Sequence, residues 1–260
     1  VKRMTKSNIT SLTDYGKFLN SNPEEINILA KEFLISVTKF FRDKDAFDVI
    51  KEQALKEIIN NKLQVDTLKV WVVGCATGEE AYSLAMMLTE LIEQQATDRR
   101  FELQIFASDI SPDAILLARR GKYPLSISSQ ISKSRLDRFF TQRESHYFVN
   151  QSLRDKVLFA QHDLVRDPPF TKLDLLVCRN LLIYFDAPLQ QRLLPLFHYS
   201  LRPHGLMVLG SSETTGNTGH LFVAVHGKLR IYARRNNPAV PGAASLLNAL
   251  PPIYTSTREI

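Results

Sequence analysis

Residues 69–84 read KVWVVGCATGEEAYSL: an apolar, β-branched run closed by Gly74, then Gly78, then a helical pattern that opens with two glutamates. A β-branched run that ends in glycine and passes directly into helical periodicity is typical of the strand, turn and helix of a parallel α/β domain. In such domains the ligand binds at the carboxyl end of the strand. The stretch therefore predicts an α/β fold class and the position of the site.

The first turn of the predicted helix carries the charge that selects the ligand. In phosphate-binding versions of this turn, the helix N-terminus offers N–H donors and a positive dipole end to an anion. Glu79 and Glu80 place negative charge there, so a hydroxyl-rich or cationic ligand is favoured over a pyrophosphate. S-adenosylmethionine, with its ribose hydroxyls, ammonium and sulfonium, fits this better than a dinucleotide. Thr77-x-x-Glu80 also has the spacing of a capping box, and the two roles are compatible.

A second strand is predicted over Phe101–Asp109 (FELQIFASD), and it ends in an acid. An acid at the tip of the second strand is where Rossmann-type folds bind ribose hydroxyls. The alternative for Asp109 is a helix cap, but Ser111 is better placed for that role. We therefore favour ribose binding by Asp109.

Composition sets further limits. The chain has 260 residues, 44% of them apolar and 23% charged, as is usual for a globular domain. No apolar run approaches the ~20 residues that cross a bilayer, and the start, VKRMTKSN, lacks the features of a signal peptide. Cys75 and Cys178 lack C-x-x-C spacing, and the six histidines lack ligand spacing. We predict a cytoplasmic location, buried thiols, no metal and no membrane insertion.

The net charge of +6 and the pI near 9.3 permit a nucleic-acid or an acidic-protein partner without specifying one. The basic residues occur in short groups, such as Arg119-Arg120-Lys122 and Lys133-Arg135-Arg138. They fit either a solvated face or a functional basic patch. We interpret most of them as a solvated face, and we predict no nucleic-acid partner.

Periodicity divides the chain into three parts. Residues 1–60 predict a helical subdomain and linker that is truncated, residues 61–235 an α/β domain, and residues 236–260 a linker or tail. The runs HYFV and KVLF predict two short strands that pair in an inserted antiparallel subdomain at about 141–160. The insertion serves either partner contact or as a structural flap. The start without methionine suggests a module from a longer fusion protein.

Five segments together resemble the chemotaxis-receptor glutamate methyltransferase family, known as CheR. They are FFRD at 40–43, GCATGEEAYSLAM at 74–86, FASDIS at 106–111, CRNLLIYFD at 178–186 and HGLMVLGSSE at 204–213. The resemblance extends from about Asp14 to Ala233, in the family's order and at compatible spacing. It implies a Rossmann-like class I methyltransferase sheet, a small N-terminal helical subdomain, and a small inserted antiparallel β subdomain.

The resemblance also implies the cofactor, S-adenosylmethionine, and the residues that contact it. Arg42 and Tyr184 are implied at the methyl-transfer point, where Arg42 orients the incoming carboxylate. The implied cofactor-binding residues are Ser36, Thr38, Arg42, Gly74, Ala76, Glu80, Asp109, Asp163, Leu164, Arg179 and Asn180. The alternative for Arg42 is an ion pair with Asp43 or Asp45, and the alternative for Tyr184 is a buried core aromatic.

Three positions depart from the family pattern. Ala76 stands where many members have serine, and Asp163 stands where asparagine is common. The insertion sequence TQRESHYFVN has no glycine, whereas members that dock onto a receptor's tethering tail carry a glycine-rich loop there. We therefore expect an enzyme that acts independently of such a tail.

The implied reaction transfers a methyl group from S-adenosylmethionine to glutamate side chains in the cytoplasmic domain of a chemoreceptor-like protein. The products are glutamate methyl esters and S-adenosylhomocysteine. A carboxylate with a pKa near 4.3 is already ionised at neutral pH, so no general base is required. Two other functions remain open: a nucleic-acid methyltransferase, which the basic pI favours, and a non-catalytic sensor of the cofactor or its product.

Overall fold

The computed structural model describes residues 2–33, 38–51, 65–95 and 100–236. The chain divides into two compact units, residues 1–37 and 38–260. The division falls earlier than the predicted boundary at residue 60, because Phe40, Phe47 and Ile50 are buried in the core of the second unit. The predicted cofactor residue Ser36 and the predicted tail beyond residue 236 lie outside the described residues.

The first unit is helical, as predicted. A buried carboxylate ties its helices together: Glu25 accepts hydrogen bonds from Arg3 Nε at 2.9 Å and from the Tyr15 hydroxyl at 2.9 Å. Pro23 opens the last helix, a position that suits its fixed φ and missing N–H. The helices are α1 (Lys2–Lys6), α2 (Leu12–Ser21) and α3 (Pro23–Phe33).

The second unit alternates strands and helices. Its helices are α4 (Lys44–Val49), α5 (Glu79–Gln95), α6 (Pro112–Arg120), α7 (Lys133–Phe139), α8 (Gln151–Arg154) and α9 (Ala187–Ser200). Its strands are β1 (Val65–Val73), β2 (Arg100–Asp109), β3 (Lys122–Pro124), β4 (Phe140–Arg143), β5 (His146–Val149), β6 (Val157–Gln161), β7 (Leu173–Cys178), β8 (Leu201–Leu209), β9 (Phe222–His226) and β10 (Ile231–Arg234). In the described part of the chain, no helix is both long and apolar enough to cross a lipid bilayer.

Seven strands form the main sheet, in the order β6-β2-β1-β7-β8-β10-β9. The first five are parallel, and β9 and β10 form an antiparallel hairpin at one edge. The predicted α/β fold class is confirmed. Because β1, β2 and β7 are adjacent and parallel, their carboxyl ends meet at one edge of the sheet, which is where such folds bind ligands.

Both faces of the sheet are covered, as a parallel sheet requires. Val70 and Val72 of β1 face a core that includes the apolar side of α5. Trp71 and Val73 face a second core built with α9. This alternation fixes the register of β1, since a slip of one residue would exchange the two faces.

The inserted subdomain differs from the prediction. It is a three-stranded antiparallel sheet in the order β3-β5-β4, so it lies at about residues 122–149 rather than 141–160. HYFV and KVLF do not pair with each other. The segment Val157–Gln161 is instead the edge strand of the main sheet, parallel to β2, because Val157 and Phe159 turn inward to the core.

Salt bridges hold the insertion against α5. Arg135 of α7 donates from Nε and Nη2 to the two carboxylate oxygens of Glu90, at 2.9 and 2.7 Å. Arg138 bonds Glu93 one turn further along. Bidentate pairs fix orientation as well as distance, so the insertion is a fixed part of the second unit.

His198 on α9 makes the stability of the fold depend on pH. The side chain is fully buried, and its Nε2 lies 2.8 Å from the Arg235 carbonyl, so Nε2 carries the proton and donates. Nδ1 is buried without a partner among the described residues. Burial lowers the pKa of His198, and the positive charges of Arg234 and His220 lower it further, whereas the bond to the carbonyl opposes the shift.

We expect the free energy of unfolding to fall as the pH drops below about 6.5, because the unfolded chain then binds a proton that the folded chain excludes. The His198→Gln variant keeps an amide donor for the Arg235 carbonyl and removes the titrating group. Urea denaturation at pH 7.5 and 5.5 should show a larger loss for the unaltered protein than for the variant. Equal losses would exclude His198 as the source.

Candidate functional site

The turn after β1 depends on two glycines in the left-handed region. Gly74 has φ +68° and Gly78 has φ +95°. A Cβ on Gly78 would lie 2.9 Å from the Ala118 Cβ, and a Cβ on Gly74 would lie 3.0 Å from Leu181 Cδ2. The glycines therefore allow the turn to close against neighbouring elements. Ala76, between them, also has a positive φ of +47°.

Asp109, at the carboxyl end of β2, holds this turn in place. Its Oδ2 accepts from the backbone N–H of Ala76 at 2.9 Å, and its Oδ1 accepts from the N–H of Ser111 at 2.9 Å. Ser111 is the N-cap of α6, as predicted, since its Oγ accepts from Ala114 N–H. Each carboxylate oxygen keeps a further lone pair for a ligand hydroxyl.

Arg179, at the end of β7, is a buried cation that contacts the largely buried Glu80 and the exposed Asp43. Its Nη1 donates to Glu80 Oε1 at 2.7 Å and to the Arg42 carbonyl at 3.1 Å, and its Nη2 donates to Asp43 Oδ2 at 2.5 Å. The Arg179 side chain is only 3% exposed. We call Arg179, Asp43, Glu80 and the Arg42 carbonyl the Arg179 cluster. It joins the segment 38–43, the start of α5 and the end of β7.

One donor of the Arg179 cluster is unused. Arg179 Nε is buried and has no hydrogen-bond partner among the described residues. Native structures rarely leave buried polar groups unpaired, and a bound ligand is one way to satisfy such a group. The cluster is therefore suited to a ligand that brings an acceptor.

Glu80 belongs to the Arg179 cluster and not to a capping box. The Thr77 hydroxyl donates to Glu79 Oε2 at 2.6 Å, whereas the Glu80 carboxylate pairs with Arg179. Burial raises the pKa of the Glu80 carboxyl, and the charges of Arg179 and Arg42 oppose that shift. A tertiary ion pair has replaced the local cap that the T-x-x-E spacing predicts.

The segment that carries Thr38 and Arg42 is fixed by backbone donors. The N–H of Phe40 donates to Gln130 Oε1 at 2.9 Å, and the N–H of Phe41 donates to Ser83 Oγ at 3.0 Å. Gln130 belongs to the insertion and Ser83 to α5. The acid next to Arg42 along the chain, Asp43, pairs with Arg179. The Arg42 side chain is half-buried and acts electrostatically on Glu80.

Asp163 and Leu164 lie in the turn that follows β6. The Asp163 carboxylate accepts from Val165 N–H at 2.9 Å and forms an ion pair with Arg166 at 3.6 Å. Leu164 is buried. The turn is joined to Asp109, whose carbonyl accepts from the N–H of His162 at 3.0 Å. Asp163 thus adjoins the strand ends, but its carboxylate contacts Val165 and Arg166 of its own turn.

Asn180 and Tyr184 follow β7. Asn180 has φ +58°, and Tyr184 ends the short 3₁₀ turn Leu182–Tyr184. The Tyr184 side chain is 51% exposed, so the alternative of a buried core aromatic is wrong. An exposed phenol beside the strand ends can meet a substrate.

Both cysteines are buried and free, as predicted. Burial raises the pKa of the Cys75 thiol well above its usual range, with a further contribution from the Asp109 charge. Burial likewise raises the pKa of the Cys178 thiol. Protonated, buried thiols are poor nucleophiles, so the thiols beside the site contribute packing and not reactivity.

The structure gathers most of the predicted site residues at the carboxyl ends of β1, β2 and β7. Two further residues there were not predicted as site residues: Asp43, which pairs with Arg179, and Glu213, which lies in the turn after β8 and contacts the Asn180 segment. Asp43 belongs to the motif FFRD and Glu213 to the motif HGLMVLGSSE, and these motifs are the signal that could have identified them.

A separate groove of about 370 Å³ is lined by Arg119, Arg154 and Phe159 among others.

Comparison with known proteins yields a family and several relatives. The family model described as "CheR methyltransferase, SAM binding domain" matches residues 36–231. An uncharacterized 104.1 kDa protein of Rhodobacter capsulatus is 37% identical over 257 residues, which cover 99% of this chain and 26% of that protein. A chemotaxis protein methyltransferase of Listeria monocytogenes is 31% identical over 203 residues, 76% of this chain and 74% of the relative. Chemotaxis protein methyltransferase 1 of Pseudomonas aeruginosa is 32% identical over 183 residues, 69% and 66% of the two chains.

Proposed function

Because the chain belongs to the CheR methyltransferase family, we propose that it methylates glutamate side chains in the cytoplasmic domain of a chemoreceptor-like protein. The family match identifies a methyltransferase that binds S-adenosylmethionine. The observation that supports the finer proposal is the Arg179 cluster, which brings the Arg42 segment to the acidic rim formed by Glu80 and Asp109. A receptor carboxylate would there meet a cation beside the methyl donor.

The residues at the rim fit S-adenosylmethionine. Asp109 offers free lone pairs to ribose hydroxyls, and Glu80 supplies negative charge beside the glycine turn. The unused Nε–H of Arg179 offers a buried donor. The remaining proposed binding residues are Thr38, Arg42, Gly74, Ala76, Asp163, Leu164 and Asn180, with Ser36 outside the described residues. When bound, S-adenosylmethionine supplies a methyl group on a positively charged sulfur.

Methyl transfer to an ionised carboxylate requires that the protein align the two reactants, and it requires no proton transfer. The receptor glutamate would be the nucleophile and bound S-adenosylmethionine would supply the methyl group, with S-adenosylhomocysteine as the leaving product. Arg42 orients the incoming carboxylate through its planar guanidinium, and Tyr184 lines the approach. Holding reacting groups near attack distance can supply ~7–11 kcal/mol of the barrier.

The insertion supports an enzyme that needs no receptor tail. Strands β4 and β5 are joined by the turn Glu144-Ser145, and Glu144 takes φ +47°. A two-residue turn leaves no room for a glycine-rich loop between these strands. We therefore propose that recognition rests on the receptor's methylated region alone.

The proposal is tested by incubating the protein with radiolabelled S-adenosylmethionine and receptor-rich membranes, followed by base treatment. Carboxyl methyl esters hydrolyse at high pH, so we expect volatile labelled methanol. A base-stable label, whether on protein or nucleic acid, would contradict glutamate methylation. Tight binding of S-adenosylhomocysteine without any transfer would support the non-catalytic sensor.

We expect Asp109→Ala to weaken S-adenosylhomocysteine binding by about 1–3 kcal/mol, the scale of leaving hydrogen-bonding groups unmet. Isothermal titration calorimetry measures the change. Asp113→Ala is the matched control, because this substitution also removes one negative charge close to the site. Asp113 is exposed in the first turn of α6. An affinity unchanged in Asp109→Ala would remove Asp109 from the site.

A further inference from the structure

Glu213 is a buried acid whose carboxylate accepts three hydrogen bonds, all of them from backbone N–H groups. The residue is 3% exposed. Its Oε2 accepts from Gly210 N–H at 2.6 Å and from Asn180 N–H at 3.1 Å, and its Oε1 accepts from Leu182 N–H at 2.7 Å. Its own N–H donates to the Gly210 carbonyl at 2.9 Å, which closes the turn after β8. One side chain therefore joins the segments that follow β7 and β8.

These bonds stabilise a backbone conformation that is uncommon outside glycine, although asparagine tolerates it better than most residues. Asn180 has φ +58°, a left-handed conformation that costs free energy in residues other than glycine and persists only when neighbours fix it. Hydrogen bonds to an ionised carboxylate are roughly twice as strong as neutral ones. Two of them, from Asn180 and Leu182, fix both ends of the turn that leads to Tyr184.

The contact between Glu213 and Asn180 requires a residue without a side chain at position 210. A Cβ at Gly210 would lie 2.7 Å from Glu213 Oε2 and 2.9 Å from the Asn180 nitrogen. Both distances are too short for a real contact, so any side chain at residue 210 would separate Glu213 from Asn180. Gly210 and Glu213 thus act together to hold Asn180.

We infer that Glu213 is a positioning residue for methyl transfer: its carboxylate sets the Asn180–Tyr184 turn at the cofactor site. The inference rests on the proposed function, in which Asn180 contacts the cofactor and Tyr184 lines the approach. Glu213 itself touches neither the cofactor nor the substrate. Removing the Glu213 carboxylate should therefore weaken cofactor binding and slow turnover, because the Asn180–Tyr184 turn is displaced.

Asp174 of β7, the strand that Asn180 follows, provides a matched control. It is also a buried acid, 5% exposed, and it accepts from the backbone N–H of Lys69 at 2.8 Å and pairs with Arg202 at 3.5 Å. It lies near the amino end of β7, whereas Asn180 follows the carboxyl end. Both acids are buried and accept from backbone N–H groups, but Asp174 lies near the amino end of β7 and Glu213 contacts the segment after its carboxyl end.

The test compares Glu213→Gln with Asp174→Asn by thermal unfolding, by calorimetry with S-adenosylhomocysteine, and by methylation kinetics. Both variants should lower the melting temperature. Only Glu213→Gln, which places an amide donor against backbone donors, should also weaken S-adenosylhomocysteine binding by about tenfold or more and lower kcat.

Gly210→Ala keeps the Glu213 charge and should reproduce the loss of affinity, so it carries the test if Glu213→Gln does not fold. A Glu213→Gln or Gly210→Ala variant that loses only thermal stability, as Asp174→Asn does, would overturn the inference. If the unaltered protein methylates no receptor, the proposed acceptor is wrong, and calorimetry still decides the role of Glu213.

Discussion

Replacing Arg179 by methionine is expected to lower the free energy of unfolding by about 3–5 kcal/mol, the cost of breaking a buried ion pair from one side. The substitution leaves Glu80 buried without its cation, and it removes the bonds to Asp43 and to the Arg42 carbonyl. Binding of S-adenosylhomocysteine should fall below detection, because the Arg42 segment loses its attachment to β7. Urea denaturation and calorimetry measure the two effects.

A second substitution separates stability from binding. Adding Glu80→Gln to Arg179→Met removes the uncompensated charge, so the double variant should regain a large part of the lost stability. Binding should not return, since the proposed site then lacks both side chains. A double variant as unstable as Arg179→Met alone would show that packing, and not charge, accounts for the loss.

Gly78→Ala is expected to destabilise the second unit by roughly 2–5 kcal/mol, combining backbone strain with overpacking. The φ of +95° suits glycine only, and the new methyl group would lie 2.9 Å from the Ala118 Cβ. Chemical denaturation measures the loss. Gly219→Ala is the control in the same unit, because nothing lies within 4 Å of the added methyl group there and φ is −58°.

The control variant should change stability by less than about 1 kcal/mol, and it should stabilise if it changes anything, because alanine restricts the unfolded chain. A Gly78→Ala protein as stable as Gly219→Ala would mean that the turn after β1 can relax. The cofactor site would then be less rigid than its geometry indicates.

Neighbouring residues in the sequence were enough to predict helix caps and a short buried strand. Ser111 and Asp186 cap their helices as their sequence context indicates, since a cap depends on residues three apart. The run Leu173–Cys178 forms β7, because its length of six residues fits a strand that is buried on both faces better than a helix.

The sequence was a poor guide where contacts between segments far apart in the chain determine the strand pairing or the partner of a side chain. Val157–Gln161 has the composition of a hairpin strand, but β2 offers a buried parallel partner, and sequence alone cannot rank the two pairings. The capping box that the Thr77-x-x-Glu80 spacing allows does not form, because Arg179, 99 residues away along the chain, binds the Glu80 carboxylate. Asp43 and Glu213 gained their roles in the same way, through contacts that exist only once the strand ends meet.

The central claim is that S-adenosylmethionine binds at the carboxyl ends of β1, β2 and β7. A crystal structure of the complex with S-adenosylhomocysteine tests it most directly. We predict the ribose hydroxyls beside the Asp109 carboxylate, with the Arg179 cluster at the ligand's edge. Adenosine density elsewhere, for example in the groove lined by Arg119, Arg154 and Phe159, would contradict the account.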